Sequence, residues 1–252
     1  MKFLVYILLM LVSVLSPAIA QETPSRLEQA NQFYSEGKYQ EAVKAYEEIL
    51  STNIESPELY FNLGNAFYKT GQVSKAILNY ERACLLNPND EDIIYNLELV
   101  NQHVVDKIEA LPVPFFIRWK NNVIDSKSSD TWGYYSLVSF ILFLVLLGIF
   151  LFTQSVALKR FSFWFGIFTI AYSLITYSFA LSQKKKITGR NQAIVFSPSI
   201  TVKASPDESG SELFIIHEGL KVKITDTLNT WSEIQLSDGN KGWLPDSCLV
   251  RI

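Results

Sequence analysis

The sequence predicts a multidomain chain in three parts: all-α helical repeats, a hairpin of two membrane-spanning helices, and a small all-β barrel at the C-terminal end. Three observations carry this expectation. Ala30 and Gly64, Phe33 and Phe67, Gly37 and Gly71, Ala42 and Ala76, and Tyr46 and Tyr80 are each separated by 34 residues. Residues 131–158 and 161–183 hold no charged side chain and flank the pair Lys159-Arg160. Beyond Gln192 the apolar pattern changes to a period of two, cut into short runs by turn residues.

Composition fits this partition. Hydrophobic residues make up 48% of the 252 positions and charged ones only 19%, the average of two polar ends and an apolar middle. A net charge of -3 offers no basic face for displacing counterions from DNA or RNA, which excludes nucleic acid as the expected partner. Two cysteines are too few for a disulfide framework or a zinc site, and no metal or cofactor motif is present.

Residues 1–20 read as a signal peptide. Lys2 supplies the charge, residues 3–15 an apolar core interrupted by Ser13, and Ser16-Pro17-Ala18-Ile19-Ala20 a small-x-small cleavage site. An uncleaved signal anchor is the alternative, and a lipoprotein anchor is excluded because no cysteine follows the site. Export from Gln21 onward turns the first span inward and the second outward, so both soluble parts face the periplasm from a two-span inner-membrane protein. Lys159-Arg160 then form the cytoplasmic loop, as the positive-inside rule wants, but Lys184-Lys185-Lys186 and Arg190 fall on the opposite side, against it.

The 34-residue period, with small residues at two positions, aromatics at two others and glycine at the turn, is the pattern of tetratricopeptide helix pairs. The repeats are expected over 23–108, as units 23–56 and 57–90 and a capping helix 91–108. Tyr60, Leu63, Gly64, Phe67, Ala76, Tyr80, Ala83 and Pro88 all fit the second unit, and the first departs at Gln29. Ile94, Leu97, Val100, Val104 and Ile108 form the stripe of the capping helix. Stacked helix pairs present a concave groove to an extended peptide. Here it offers Asn31, Asn62, Asn65 and Asn96, whose amides can serve a peptide's N–H and C=O together, with Tyr34, Phe61, Tyr68 and Tyr95 to grip side chains. Asparagine is common at these repeat positions, so the set marks a groove and not a ligand. The groove has no Lys or Arg with which to hold an acidic C-terminal tail.

Residues 109–130 form a juxtamembrane connector. Pro112 and Pro114 stop the preceding helix, and Phe115, Phe116, Ile117 and Trp119 cluster after them, as an interfacial segment or as a linker packed on the repeats. The spans are placed at 131–155 and 161–183, with Trp132, Tyr134 and Tyr135 as an aromatic belt. Small and polar residues within them show no small-xxx-small regularity, so no helix-pairing face can be named. Without ionisable groups the hairpin is an anchor and not a transport path.

Residues 192–252 read as a barrel with strands near 192–196, 213–216, 220–225, 231–236 and 242–244. The order Trp231, Asp238-Gly239, Gly242, Leu244-Pro245 resembles the second half of SH3 domains, and Ser205-Pro206, Leu213-Phe214 and Glu218-Gly219 resemble the bacterial SH3-like subset. Trp231, Trp243 and Pro245 are its candidate surface. The region lacks the tyrosines of a polyproline-binding slot and carries Cys248 where the last would sit. Peptidoglycan is a further candidate ligand, beside protein docking or internal packing.

The order of signal, two repeats, hairpin and SH3-like module, with Tyr95-Asn96-Leu97-Glu98 and Ser129-Asp130-Thr131-Trp132 at the junctions, resembles the BatE family of Bacteroides aerotolerance (Bat) operons. The resemblance implies membership of a membrane complex with von Willebrand factor A domain proteins, linked to aerotolerance or stress response. Catalysis is not expected: the histidines are His103 and His217, and Cys84 and Cys248 read as small core fillers, with a redox link between them as an alternative. The expected function is a non-enzymatic membrane-anchored scaffold for protein partners; a peptidoglycan-binding anchor is the alternative.

Overall fold

The computed structural model describes residues 22–189 and 191–252, so the signal segment lies outside the described residues. The chain divides into two compact units, one ending at Ile54 and one over Glu55–Ile252.

In the first unit, α1 (Glu22–Ser35) and α2 (Tyr39–Ser51) form a helical hairpin. Gly37 makes the turn at φ +76°, a backbone conformation that L side chains rarely adopt. Ala30 and Ala42 are fully buried, so the two helices approach closely where the sequence places small residues.

The second unit repeats this geometry with α3 (Pro57–Lys69) and α4 (Val73–Leu86), and Gly71 takes the same φ of +76°. Ser56 caps α3 by accepting from the Leu59 N–H, with Pro57 in the first turn, where its missing N–H is harmless. A Cβ at Gly64 would stand 2.8 Å from the Tyr80 ring, which is why this position is glycine. Asp90 caps α5 (Glu91–Asn101) by accepting from the N–H groups of Asp92 and Ile93.

The helix expected to reach residue 108 stops at Asn101. From there the chain becomes a strap: Val104 is buried, Ile108 packs on the core of the C-terminal sheet, and the Leu111 N–H donates to Ser237 O at 3.0 Å. The expected stripe differs from the buried face: α5 buries Ile93 and Val100 and leaves Ile94 exposed, while Val104 and the partly buried Ile108 pack through tertiary contact and not through helix continuation. Within the expected connector, α6 (Phe115–Asp125) is a helix exposing Phe115, Phe116 and Trp119.

Two helices, α7 (Ser129–Phe152) and α8 (Val156–Gly189), are long and apolar enough to cross a membrane. They pair antiparallel through a seam of small and polar residues on α8 that alternates steps of four and three: Ser162, Gly166, Thr169, Ser173, Thr176, Ala180 and Gln183, all buried. The Ser136 hydroxyl donates to Ser173 O at 3.0 Å and the Ser173 hydroxyl donates to Ser136 O at 2.9 Å, a reciprocal clasp at mid-hairpin. Contrary to the expectation of no small-xxx-small regularity, Ser162/Gly166, Thr169/Ser173 and Thr176/Ala180 are three such pairs in register on the face that α7 covers, so a helix-pairing face was present in the sequence. One turn from the clasp, toward the open end of the hairpin, Trp132 packs on Phe179 and donates from Nε1 to Ile124 O at 2.9 Å.

The C-terminal residues form a seven-stranded antiparallel sheet in the order β3-β2-β6-β5-β4-β1-β7. The strands are β1 (Gln192–Val195), β2 (Ser199–Lys203), β3 (Glu212–His217), β4 (Lys221–Leu228), β5 (Trp231–Gln235), β6 (Lys241–Pro245) and β7 (Leu249–Arg251). Five lie where the alternation placed them; β2 and β7 were not anticipated. Ala193, Val195, Val202, Ile216, Val222, Ile234 and Leu244 form the core. A Cβ at Gly242 would lie 2.4 Å from Val202 Cγ1, so β6 approaches β2 only with glycine there.

Replacing Ser173 by Leu removes one half of the clasp and wedges bulk into the seam. It should destabilise the hairpin by about 1–3 kcal/mol in a detergent unfolding titration, whereas Leu174→Ile on the exposed face should change little.

Candidate protein-interaction site

The proposed groove residues divide between the units. In the first, the Tyr46 hydroxyl donates to Asn31 Oδ1 at 2.7 Å. In the second, the Tyr80 hydroxyl donates to Asn65 Oδ1, also at 2.7 Å. The 34-residue period thus extends to a side-chain hydrogen bond: an asparagine on the first helix of each pair holds the tyrosine of the second. Asn65 Oδ1 also accepts from Asn96 Nδ2 at 2.9 Å, tying α5 to the repeat. The amides read from sequence as peptide contacts therefore have a structural task at Asn31, Asn65 and Asn96, because the buried Tyr80 hydroxyl needs an acceptor.

The aromatic members differ in freedom. Phe61 packs on the Tyr80 ring at 5.9 Å, and the Tyr68 hydroxyl lies 3.3 Å from His103 Nε2 in the turn after α5. Asn62 is half-buried on the same helix, and Tyr95 on α5 is two-thirds exposed. Tyr34 packs edge-on against Tyr39; burial, and then the neighbouring Tyr39, push its phenol above the usual range, so it stays protonated at neutral pH. Of the candidates in the second unit, Tyr95 presents the most open surface.

On the sheet, cross-strand register sets Trp231 opposite Pro245 and Glu233 opposite Trp243. Residues two apart share a face, so Trp231, Trp243 and Pro245 come together on the half-exposed side, while Ser232, Ile234, Gly242 and Leu244 fill the other.

Nothing in the sequence signalled how the sheet docks on the repeat. The Ser74 hydroxyl donates to Glu218 at 3.2 Å, Lys221 pairs with Glu81 at 2.6 Å, and Arg82 donates to Arg251 O at 2.8 Å. Between these polar contacts Ile77 is fully buried, and Gly219, at φ +84°, leaves a Cβ position only 3.2 Å from both Ile77 and Val104. His217 is anchored at the rim: its backbone N–H donates to Asp106 Oδ2 at 2.7 Å and its Nδ1 lies 2.9 Å from Oδ1. These partners stand more than 100 positions apart, beyond the reach of periodicity.

Residues 30–71 and 64–102 match the family model of the TPR repeat. The chain carries TPR repeats. No match to a curated protein was found. TPR repeats are a non-catalytic protein-interaction fold, and the aromatic and amide face just described belongs to them. His217 is engaged by Asp106 and His103 lies beside Tyr68, and among the described residues no three His, Cys, Asp or Glu side chains gather as a metal would require. Cys84 and Cys248 are free thiols. Burial, and next the Glu81 carboxylate, push the Cys84 thiol upward, which keeps it protonated and a weak nucleophile at neutral pH.

Asn65→Ala leaves the Tyr80 hydroxyl and the Asn96 amide without their acceptor and should cost about 1–3 kcal/mol in thermal or chemical unfolding. Combined with Tyr80→Phe the loss should be clearly less than additive. Tyr95→Ala should stay within about 0.5 kcal/mol of the parent, which makes it the cleaner probe of binding.

Proposed function

We propose that the chain is a membrane-anchored scaffold in which TPR repeats recruit protein partners, α7 and α8 cross the inner membrane, and both soluble parts face the periplasm. The observation that carries this is the outer surface of the α7/α8 pair: Leu137, Phe140, Leu144, Leu151, Phe161, Trp164 and Phe168 are all more than 40% exposed, an apolar area that water does not tolerate on a folded monomer. A lipid environment removes that cost, and the reciprocal serine clasp satisfies the polar groups inside the seam. The exposed Phe115, Phe116 and Trp119 of α6, just before the first span, suit the headgroup level.

The C-terminal sheet is read as SH3-like, and its docking on α4 favours internal packing, with Trp231, Trp243 and Pro245 left as a lateral surface. The order of parts supports membership of a Bat-type membrane complex linked to aerotolerance or stress response, with von Willebrand factor A domain membrane proteins as partners. Peptide contacts in the second unit would then fall on Phe61, Asn62, Tyr68 and Tyr95, with Asn65 and Asn96 shaping that surface from within, and Tyr34 with Asn31 would play the matching parts in the first unit.

Alkaline carbonate should leave the protein in the membrane pellet, and alkaline phosphatase fused after Ile252 should be active. An inactive fusion that is still expressed would overturn the sidedness. Photo-cross-linking from position 95 in intact cells should attach von Willebrand factor A domain membrane proteins, and Asn62→Ala with Tyr68→Ala should abolish the adduct.

A further inference from the structure

The apolar stretch of α8 ends at Gln183, yet the helix runs on to Gly189. Its 34 residues measure about 50 Å, well beyond the roughly 30 Å of a bilayer core. The emerging turn forms one wall of a cavity of about 570 Å³, whose other walls are α4, the end of α6 and the paired strands β1 and β4. Lys185 and Lys186 enter it from α8, Lys221 and Lys223 from β4.

The charges do not cancel. Lys186 pairs with Asp125 at 2.5 Å and Lys221 with Glu81 at 2.6 Å. These two ion pairs hold the walls together, and Asn89 Nδ2 fixes the same corner by donating to Asp125 O at 2.7 Å. Lys185 and Lys223 line the cavity with no carboxylate partner among the described residues, so it carries two uncompensated ammonium groups. No aromatic ring lines it to stack a nucleobase. Below it, Leu181, Tyr177 and Leu174 run exposed down α8, an apolar track leading away from the positive end.

We propose that this cavity binds the phosphate of an anionic phospholipid headgroup, with Lys185 and Lys223 as its ligands and the acyl chains laid along the exposed face of α8. The proposal rests on the reading of α8 as a membrane span. Ammonium groups bind phosphate as compact point charges with several donors, and basic pockets at the ends of spans suit such headgroups. It also accounts for two of the three lysines that follow the second span on the side where positive charge is disfavoured: Lys186 is neutralised by Asp125, and Lys185 faces a lipid phosphate.

Cys84 lines the same cavity and reports its occupancy, with buried Cys248 as the internal reference thiol. The full chain, purified in non-ionic detergent, is titrated with phosphatidylglycerol, phosphatidylcholine or inorganic phosphate. Bound lipid is read by native mass spectrometry and Cys84 alkylation by peptide mapping. Phosphatidylglycerol should be retained about tenfold or more over phosphatidylcholine and should slow Cys84 labelling. Lys185→Ala with Lys223→Ala should erase the preference, the corresponding Arg pair should keep it, and Lys184→Ala, outside the cavity, should leave it intact. Equal retention of the two lipids, a preference that survives the double Ala variant, or inorganic phosphate protecting Cys84 as well as the lipid does would overturn the proposal. Carbonate extraction separates the two failures: a chain that stays in the pellet but shows no preference loses only this site, whereas a chain released to the supernatant loses the membrane reading as well.

Discussion

The second unit depends on α4 being covered on more than one side. Its Gly64-facing surface packs Tyr80 against α3, and the adjoining surface buries Ile77 completely beneath Gly219 and Val104. Full burial of one isoleucine is worth about 1.5–3 kcal/mol, and the Lys221–Glu81 and Ser74–Glu218 contacts fix where it happens. Repeat, strap and sheet form one unit because they share this helix. A substitution that loosened the Ile77 contact would disturb three elements that the sequence presents as separate.

That arrangement changes what the sheet does for the repeats. A short repeat array exposes an apolar flank at its end and needs a cap. Here α5 covers part of that flank, held by the Asn96 to Asn65 hydrogen bond, and the sheet with its strap covers α4. The sheet therefore behaves as a structural partner of the TPR repeats first, and its Trp231/Trp243/Pro245 surface is oriented by that docking instead of hanging from a flexible linker.

Much of the architecture was legible because it is periodic. The 34-residue spacing located four helices and both turn glycines, the uncharged runs located α7 and α8, and the alternation located five strands. What escaped was set by tertiary contact. The helix after the repeats ends at Asn101, and Val104 and Ile108 pack toward the sheet from an extended strap instead of continuing it. Asn65 looked like a ligand contact because an exposed amide and an amide serving Tyr80 are the same letter in the sequence; only the 2.7 Å geometry separates the two roles.

The serine clasp also limits how this chain associates sideways. Ser136 and Ser173 have spent their hydroxyls on each other's carbonyls, and the small residues of the seam are already occupied by α7. A further helix therefore finds that small-residue furrow filled. On the outer flank of α8 it would meet the bulky rings of Phe161, Trp164, Phe165 and Phe168, a surface that suits aromatic packing more than close backbone approach.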